Sequence, residues 1–173
     1  MSRTADPLLD AILILARAGI EFVVVGVQGI NFYAKDASQA VLTRDVDVFL
    51  PRHAEALQAA LRVLHAAGFR FVARGEPFLD IDDLAILRNV VTSGANIVAE
   101  DENGAMIDLM LSGGGFEFGD LASDAVIFRI DGTEIRVGTL AKLLRSKEIA
   151  GRPKDLEFLR MFAARLRPEI DRD

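Results

Sequence analysis

The chain has no cysteine, no tryptophan, one tyrosine, two histidines and five prolines among its 173 residues. Without cysteine there is neither a disulfide framework nor a thiolate metal centre. The histidines, His53 and His65, stand twelve positions apart on one expected helix, which makes no metal pair. No apolar run approaches the roughly eighteen residues that cross a bilayer, and MSRTADP lacks the apolar middle of a secretory signal. These absences predict a cytoplasmic protein with no membrane partner. Tyr33 and the phenylalanines are too dispersed for a base-stacking platform and read as core.

Hydrophobic residues make up 51% of the chain, enough for one sizeable core. The net charge of −6 argues against indiscriminate binding of nucleic acid. The charge is unevenly spread. From Arg136 to Arg167 nine basic residues accompany three acidic ones, while the remainder holds eleven basic and twenty-three acidic residues. An acidic body with a basic C-terminal segment suits a cation site facing an anionic ligand. It equally suits a solvated helical face.

Pro7 opens a first helix that Gly19 stops. IEFVVVG reads as a buried strand ending at Gly26, followed by a short helix over about 28–34 and a loop, KDASQA. DVDVFL is a second strand. Pro51 opens an amphipathic helix closed by Gly68, and FRFVA is a third strand. EPFLDIDDLAILRN holds a helical turn near 82–87. NIVAEDENGAMIDLML reads as a hairpin turning at Asn103-Gly104. SGGGFEFG reads as a flexible loop; Phe116 and Phe118 beside it read as core or, if the loop borders a site, as cover for a ligand. AVIFRIDGTEIRVG is a second hairpin with Asp131-Gly132 at its tip. Thr139 caps a helix to about Ala150, Pro153 starts a last helix ending near Leu166, and the tail RPEIDRD frays. A mixed sheet with helices packed on it accommodates this order. The division expected is a core over 1–138 with C-terminal helices over 139–173 packed on it.

The strand over 45–50 carries the chemistry. Alternate strand residues share a face, so Asp45 and Asp47 point together while Val46, Val48 and Leu50 point into the core. Two strand steps separate the carboxylates by roughly 6.5–7 Å at Cα. Unless a cation joins them they repel, and one pKa rises. Asp108 repeats the pattern, an acid between Ile107 and Leu109. If the two strands are neighbours, three carboxylates meet on one sheet face, a suitable cage for a hard cation such as Mg²⁺ or Mn²⁺. Taken singly, each aspartate also fits a solvated strand end. The strand ending at Gly26, with a helix close behind, lets phosphate approach backbone N–H groups; an ordinary strand-to-helix turn has the same signature.

Together VVVG (Val23–Gly26), TRDVDVF (Thr43–Phe49) and IDLM (Ile107–Met110) resemble the nucleotidyltransferase superfamily, which shares its fold with DNA polymerase beta. LLRSKEIAGRPKDLEFL (Leu143–Leu159) is similar to bacterial abortive-infection nucleotidyltransferases and their small relatives, which include toxins of toxin–antitoxin pairs. The resemblance implies an α+β fold, a mixed sheet with flanking helices and a C-terminal helical pair. It implies transfer of a nucleoside monophosphate from an NTP to an acceptor hydroxyl on RNA, protein or a small molecule. Asp45 and Asp47 would bind metal, and Asp108 would complete the site and help activate the acceptor. Gly26, Val27 and Thr43 would lie against the nucleotide. Lys147 would neutralise triphosphate charge, assisted by Arg152 or Lys154, with Asp155 ordering those cations. A tRNA acceptor would meet the basic segment 136–167, and an antitoxin protein is a further expected partner.

Two positions depart from the family pattern. Val27 stands where a second glycine or a serine is usual, and Val41 where relatives often carry arginine. The alternative expectation is therefore a nucleotide-binding or interaction module with the same fold and little or no turnover.

Overall fold

A computed structural model describes residues 6–35 and 38–170, with the side chains of 163–170 excepted. The expected features at residues 1–5, 36–37 and 171–173 lie outside the described residues. Asp6 caps the first helix, α1 (Pro7–Arg17), its carboxylate accepting the Leu8 N–H at 3.0 Å. Pro7 occupies the first helical position, where its missing N–H is no loss. Leu8, Ala11, Ile12, Leu13 and Leu15 are buried.

The strands are β1 (Val23–Val25), β2 (Asp45–Phe49), β3 (Arg70–Ala73), β4 (Glu76–Phe78), β5 (Ile97–Glu100), β6 (Met106–Met110), β7 (Val126–Ile130) and β8 (Thr133–Val137). They form one mixed sheet in the order β4-β3-β5-β6-β2-β1-β8-β7. The remaining helices are α2 (Gly26–Asn31), α3 (Ala54–Ala66), α4 (Leu84–Ser93), α5 (Phe118–Ala122), α6 (Leu140–Ala150) and α7 (Pro153–Ile170). The α+β class and the C-terminal helices are as expected. Val46, Val48 and Leu50 are fully buried, on the sheet face that α1 covers. Leu121 of α5 and Leu143 of α6 lie on the opposite face, with Phe49. Leu143, Phe158 and Phe162 belong to the same hydrophobic core as the strands. Among the described residues no helix is long and apolar enough to cross a membrane.

Several boundaries differ from the sequence expectation. The second helix starts at Gly26, directly on the end of β1. His53, not Pro51, sets the start of α3: its Nδ1 accepts the Ala56 N–H at 3.1 Å. The strand β4 was not expected, because Pro77 argues against a strand and the tight turn before it uses Arg74 at φ 52° beside Gly75 at φ 77°. The expected turn near 82–87 is a full helix, capped by Asp83 and stopped by Gly94 in the left-handed conformation. The helix α5 follows a capping box between Glu117 and Asp120 that the loop-like composition concealed. The last helix continues past Leu166 to Ile170.

Candidate active site

Three strands at the sheet centre set the site. Parallel pairing of β2 with β6 puts Asp47 directly opposite Asp108, roughly 4.8 Å away at the backbone. Asp45 lies one pleat along the same face. Antiparallel pairing of β1 with β2 sets Val25 beside Asp47, so the chain turns at Gly26 against that carboxylate. A Cβ added to Gly26 would stand 2.1 Å from Asp47 Oδ2, and Gly26 has φ +67°. Glycine is therefore required twice, for the turn and for the space.

Thr43 holds Asp45, its hydroxyl donating to Oδ1 at 3.0 Å. The segment carrying Thr43 is itself pinned by a residue that sequence reasoning missed. The Asn31 side chain donates to the Val41 carbonyl and accepts the Val41 N–H, both at 2.8 Å. Nothing in the sequence marks that pair, because the two residues are brought together only by the loop between α2 and β2.

The C-terminal helices bring the cations. Asp155 is fully buried. It accepts from Lys147 Nζ at 3.2 Å and from Arg152 Nε at 2.6 Å, and its Oδ2 also accepts the Arg152 N–H at 3.3 Å. Burial pushes the Asp155 carboxyl up, but bonds from Arg152 and Lys147 outweigh it and hold it below the usual range. Lys147 also lies over the Phe158 ring, 5.4 Å from its centroid. Replacing Asp155 by alanine would leave Lys147, a side chain only 15% exposed, without its acceptor. We expect a loss of about 2–4 kcal/mol, read by thermal denaturation. A second change, Lys147→Met, should recover part of the loss by removing the stranded charge. An unchanged melting temperature in Asp155→Ala contradicts this account of the clamp.

These groups enclose one cleft of about 520 Å³, lined by Val27, Thr43, Asp45, Asp47, Asp108, Lys147, Arg152 and Lys154, among others. A smaller cavity of about 110 Å³ shares Asp47, Lys147, Arg152 and Asp155 with it and reaches past Gly26 to Phe49, Gly113 and Gly114. Gly26, Val27, Thr43, Asp45, Asp47, Asp108, Lys147, Arg152, Lys154 and Asp155 each line one or the other. Asn96, Met110, Leu42, Phe158 and Met161 also line the main cleft; they carry no sequence signal of their own. Phe116 and Phe118 line neither cavity. They pack against the core, as the first reading of the phenylalanines has it, and the alternative that they cover a ligand in the cleft is corrected.

Burial, followed by the charges of Asp45 and Asp108, raises Asp47 from 3.8 to about 7, against the pull of Lys147 and Lys154. Burial, followed by the charge of Asp45, raises Asp108 to about 6. Buried Asp108 Oδ1 has no hydrogen-bond partner. Among the described residues, no group of three or more His, Asp or Glu side chains is placed to hold a metal ion. By donor type the set would suit a hard divalent cation. All its atoms are carboxylate oxygens, one of them is an orphaned buried acceptor, and the carboxylates are costly to ionise together without a counter-charge.

The basic segment is less bare than its composition suggests. Arg136 pairs with Glu21, Lys142 with Asp124, Arg145 with Glu148, Arg160 with Glu157, and Lys147 and Arg152 with Asp155. Lys154 stands at the cleft without an ion pair among the described residues. No protein-family model matches the chain, and no curated protein matches its sequence.

Proposed function

We propose that the protein is a divalent-metal-dependent nucleotidyltransferase. The observation that carries this reading is the juxtaposition of Asp45, Asp47 and Asp108 on one sheet face with Lys147, Arg152 and Lys154 around the same cleft. Carboxylates alone would repel a triphosphate, and cations alone would need no such cluster of acids. The combination suits an anion that arrives with a metal.

In this reading Asp45, Asp47 and Asp108 would hold Mg²⁺ or Mn²⁺. The bound cation would relieve carboxylate repulsion and stabilise charge on the phosphates. Lys147 and Arg152, fixed by Asp155, neutralise the triphosphate together with Lys154. Gly26 lets the backbone approach it, with Val27 beside it on the cleft wall, and Thr43 keeps Asp45 aimed. An acceptor hydroxyl attacks the α-phosphorus, its proton passes to the Asp108 carboxylate, and the bond to the β-phosphate oxygen breaks, releasing pyrophosphate. Six of the seven cations in 136–167 whose side chains are described pair with acids, so a tRNA acceptor would meet a partly neutralised face.

The test is incubation with each α-labelled NTP, Mg²⁺ and pooled cellular RNA and protein. Label should pass to an acceptor, and Asp45→Ala/Asp47→Ala should reduce transfer at least about 100-fold. Transfer that survives the double substitution overturns the mechanism. A second reading, a binding module without turnover, is favoured by one observation: Val27, partly buried, occupies the cleft wall beside Gly26. Nucleotide binding with no transfer to any acceptor would establish it.

A further inference from the structure

Along β3, β5 and β6 the side chains alternate between a dry face and a wet one. Phe71, Ile97, Ala99, Ile107 and Leu109 are buried, whereas Arg70, Val72, Val98, Glu100 and Met106 between them are half-buried or exposed. The wet face is the one that bears the carboxylates. Strand pairing carries a straight row across it, Asp47–Asp108–Val98–Val72–Pro77. A second row runs beside the first, Asp45–Met106–Glu100–Arg70. Four strand spacings separate the ends of the first row, so Pro77 lies roughly 14 Å from Asp108. At that far end a concavity of about 260 Å³ is lined by Pro77, Leu79, Phe71, Phe78 and Ile81, among others. Leu79 is 84% exposed there. The solvated face of an antiparallel sheet is ordinarily polar, yet Val98, Val72 and Pro77 lead apolar from a catalytic carboxylate to an apolar hollow.

The charges on this platform decide between acceptors. Arg70, the cation of the two rows, stands directly opposite Glu100, and Asp45 and Asp108 share the surface with them. Neither row carries an aromatic side chain. A nucleic acid is held by cations on its phosphates and by rings stacked on its bases, and the platform offers no such set. A polypeptide is held by a near-neutral apolar contact with a pocket for an anchoring side chain, and the platform has both.

We propose that the acceptor is a protein that docks on the β6-β5-β3-β4 half of the carboxylate face. It sets an apolar side chain in the hollow at Pro77 and Leu79 and presents a serine, threonine or tyrosine hydroxyl at Asp108. The hydroxyl oxygen bonds to the α-phosphorus, the bond to the β-phosphate oxygen breaks and pyrophosphate leaves, and the hydroxyl proton passes to Asp108. This inference rests on the transfer reaction proposed above and adds its acceptor.

The test offers the protein, with α-labelled NTP and Mg²⁺, two separate pools: nuclease-treated cellular protein and protein-free cellular RNA. Label should enter the protein pool and be released from it by protease, not by nuclease. Val72→Gln puts an amide in the middle of the apolar row, and Leu79→Ser strips the exposed wall of the hollow. Each should lower transfer to protein about tenfold. NTP affinity, read by titration calorimetry, should stay within about twofold of wild type, because both positions are distant from the phosphates. Leu79 is exposed, so its variant keeps the fold even where Val72→Gln does not, as melting temperatures will show. Label entering RNA, or transfer to protein unchanged in a variant that keeps its melting temperature, overturns the docking face while leaving the transfer reaction in place. NTP binding with no transfer to either pool overturns the inference in favour of the binding module. Failure to bind NTP overturns the proposed function and the inference with it.

Discussion

Without added divalent cation, the protein should become less stable as the pH rises from about 4 to about 7. Asp47 has an ordinary value of 3.8 when unfolded and about 7 when folded; Asp108 is raised to about 6. Between those values the folded protein keeps a proton that the unfolded chain has lost. The folded state therefore binds more protons, and stability falls with increasing pH. Below about pH 4 both states are protonated and the penalty disappears. For Asp47 alone the shift corresponds to at most roughly 4 kcal/mol, and because the carboxylates share one site their contributions do not add. Asp155 acts in the opposite sense: its pKa is lowered, so its contribution is lost as acid is added below the ordinary carboxylate range.

Two measurements check this. Chemical denaturation in chelator should give a more stable protein at pH 5 than at pH 8. Asp47→Asn, which stays neutral, should be the more stable protein at pH 8, by about 1–3 kcal/mol, and should flatten the profile. Saturating Mg²⁺ should stabilise the wild type at pH 8 more than at pH 5, since carboxylates must be deprotonated to bind it. Wild-type stability that rises from pH 5 to pH 8 in chelator, or an Asp47→Asn variant weaker than wild type at pH 8, would show that the three acids are not mutually destabilising.

Gly26→Ala should damage the site more than any other single methyl group. The left-handed backbone at Gly26 costs an alanine about 1–2 kcal/mol. The 2.1 Å approach to Asp47 Oδ2 then forces either the carboxylate or the β1–α2 turn to move. We expect a total loss of about 2–4 kcal/mol and at least a 100-fold fall in label transfer. The two causes separate in a double-mutant cycle. In an Asp47→Ala background the carboxylate is gone, so Gly26→Ala should cost only the backbone part. Equal costs in both backgrounds would mean that the close approach to Asp47 carries no weight.

The residues that make the cleft were largely readable in the chain. Asp45 and Asp47 alternate with Val46 and Val48, and only a strand with one buried face explains that pattern. Gly26 closes a run of three valines, and Asp108 repeats the acid-between-aliphatics grammar. Local helix starts were also visible, at Pro7 and at Thr139. Less legible were features that depend on distant partners. The helix α4 was blurred because its β-branched residues weaken helix propensity, and β4 because a proline sits in an edge strand beside a turn led by arginine.

By itself the sequence determined which residues are acidic on an otherwise buried strand, where the main breaks fall, and that cations collect toward the C-terminus. These are consequences of period-two alternation and of local backbone chemistry, which need no partner. The tertiary structure decided that β6 lies parallel to β2 and in register, because strand order depends on which apolar faces pack best across the whole core. It also decided that Asp155 is buried between two cations, that Asn31 ties down the segment bearing Leu42, and that Phe158 is buried in the core beneath Lys147 while Phe116 and Phe118 pack against that core. Each of those pairs residues far apart in the chain, and proximity of that kind is created only by packing.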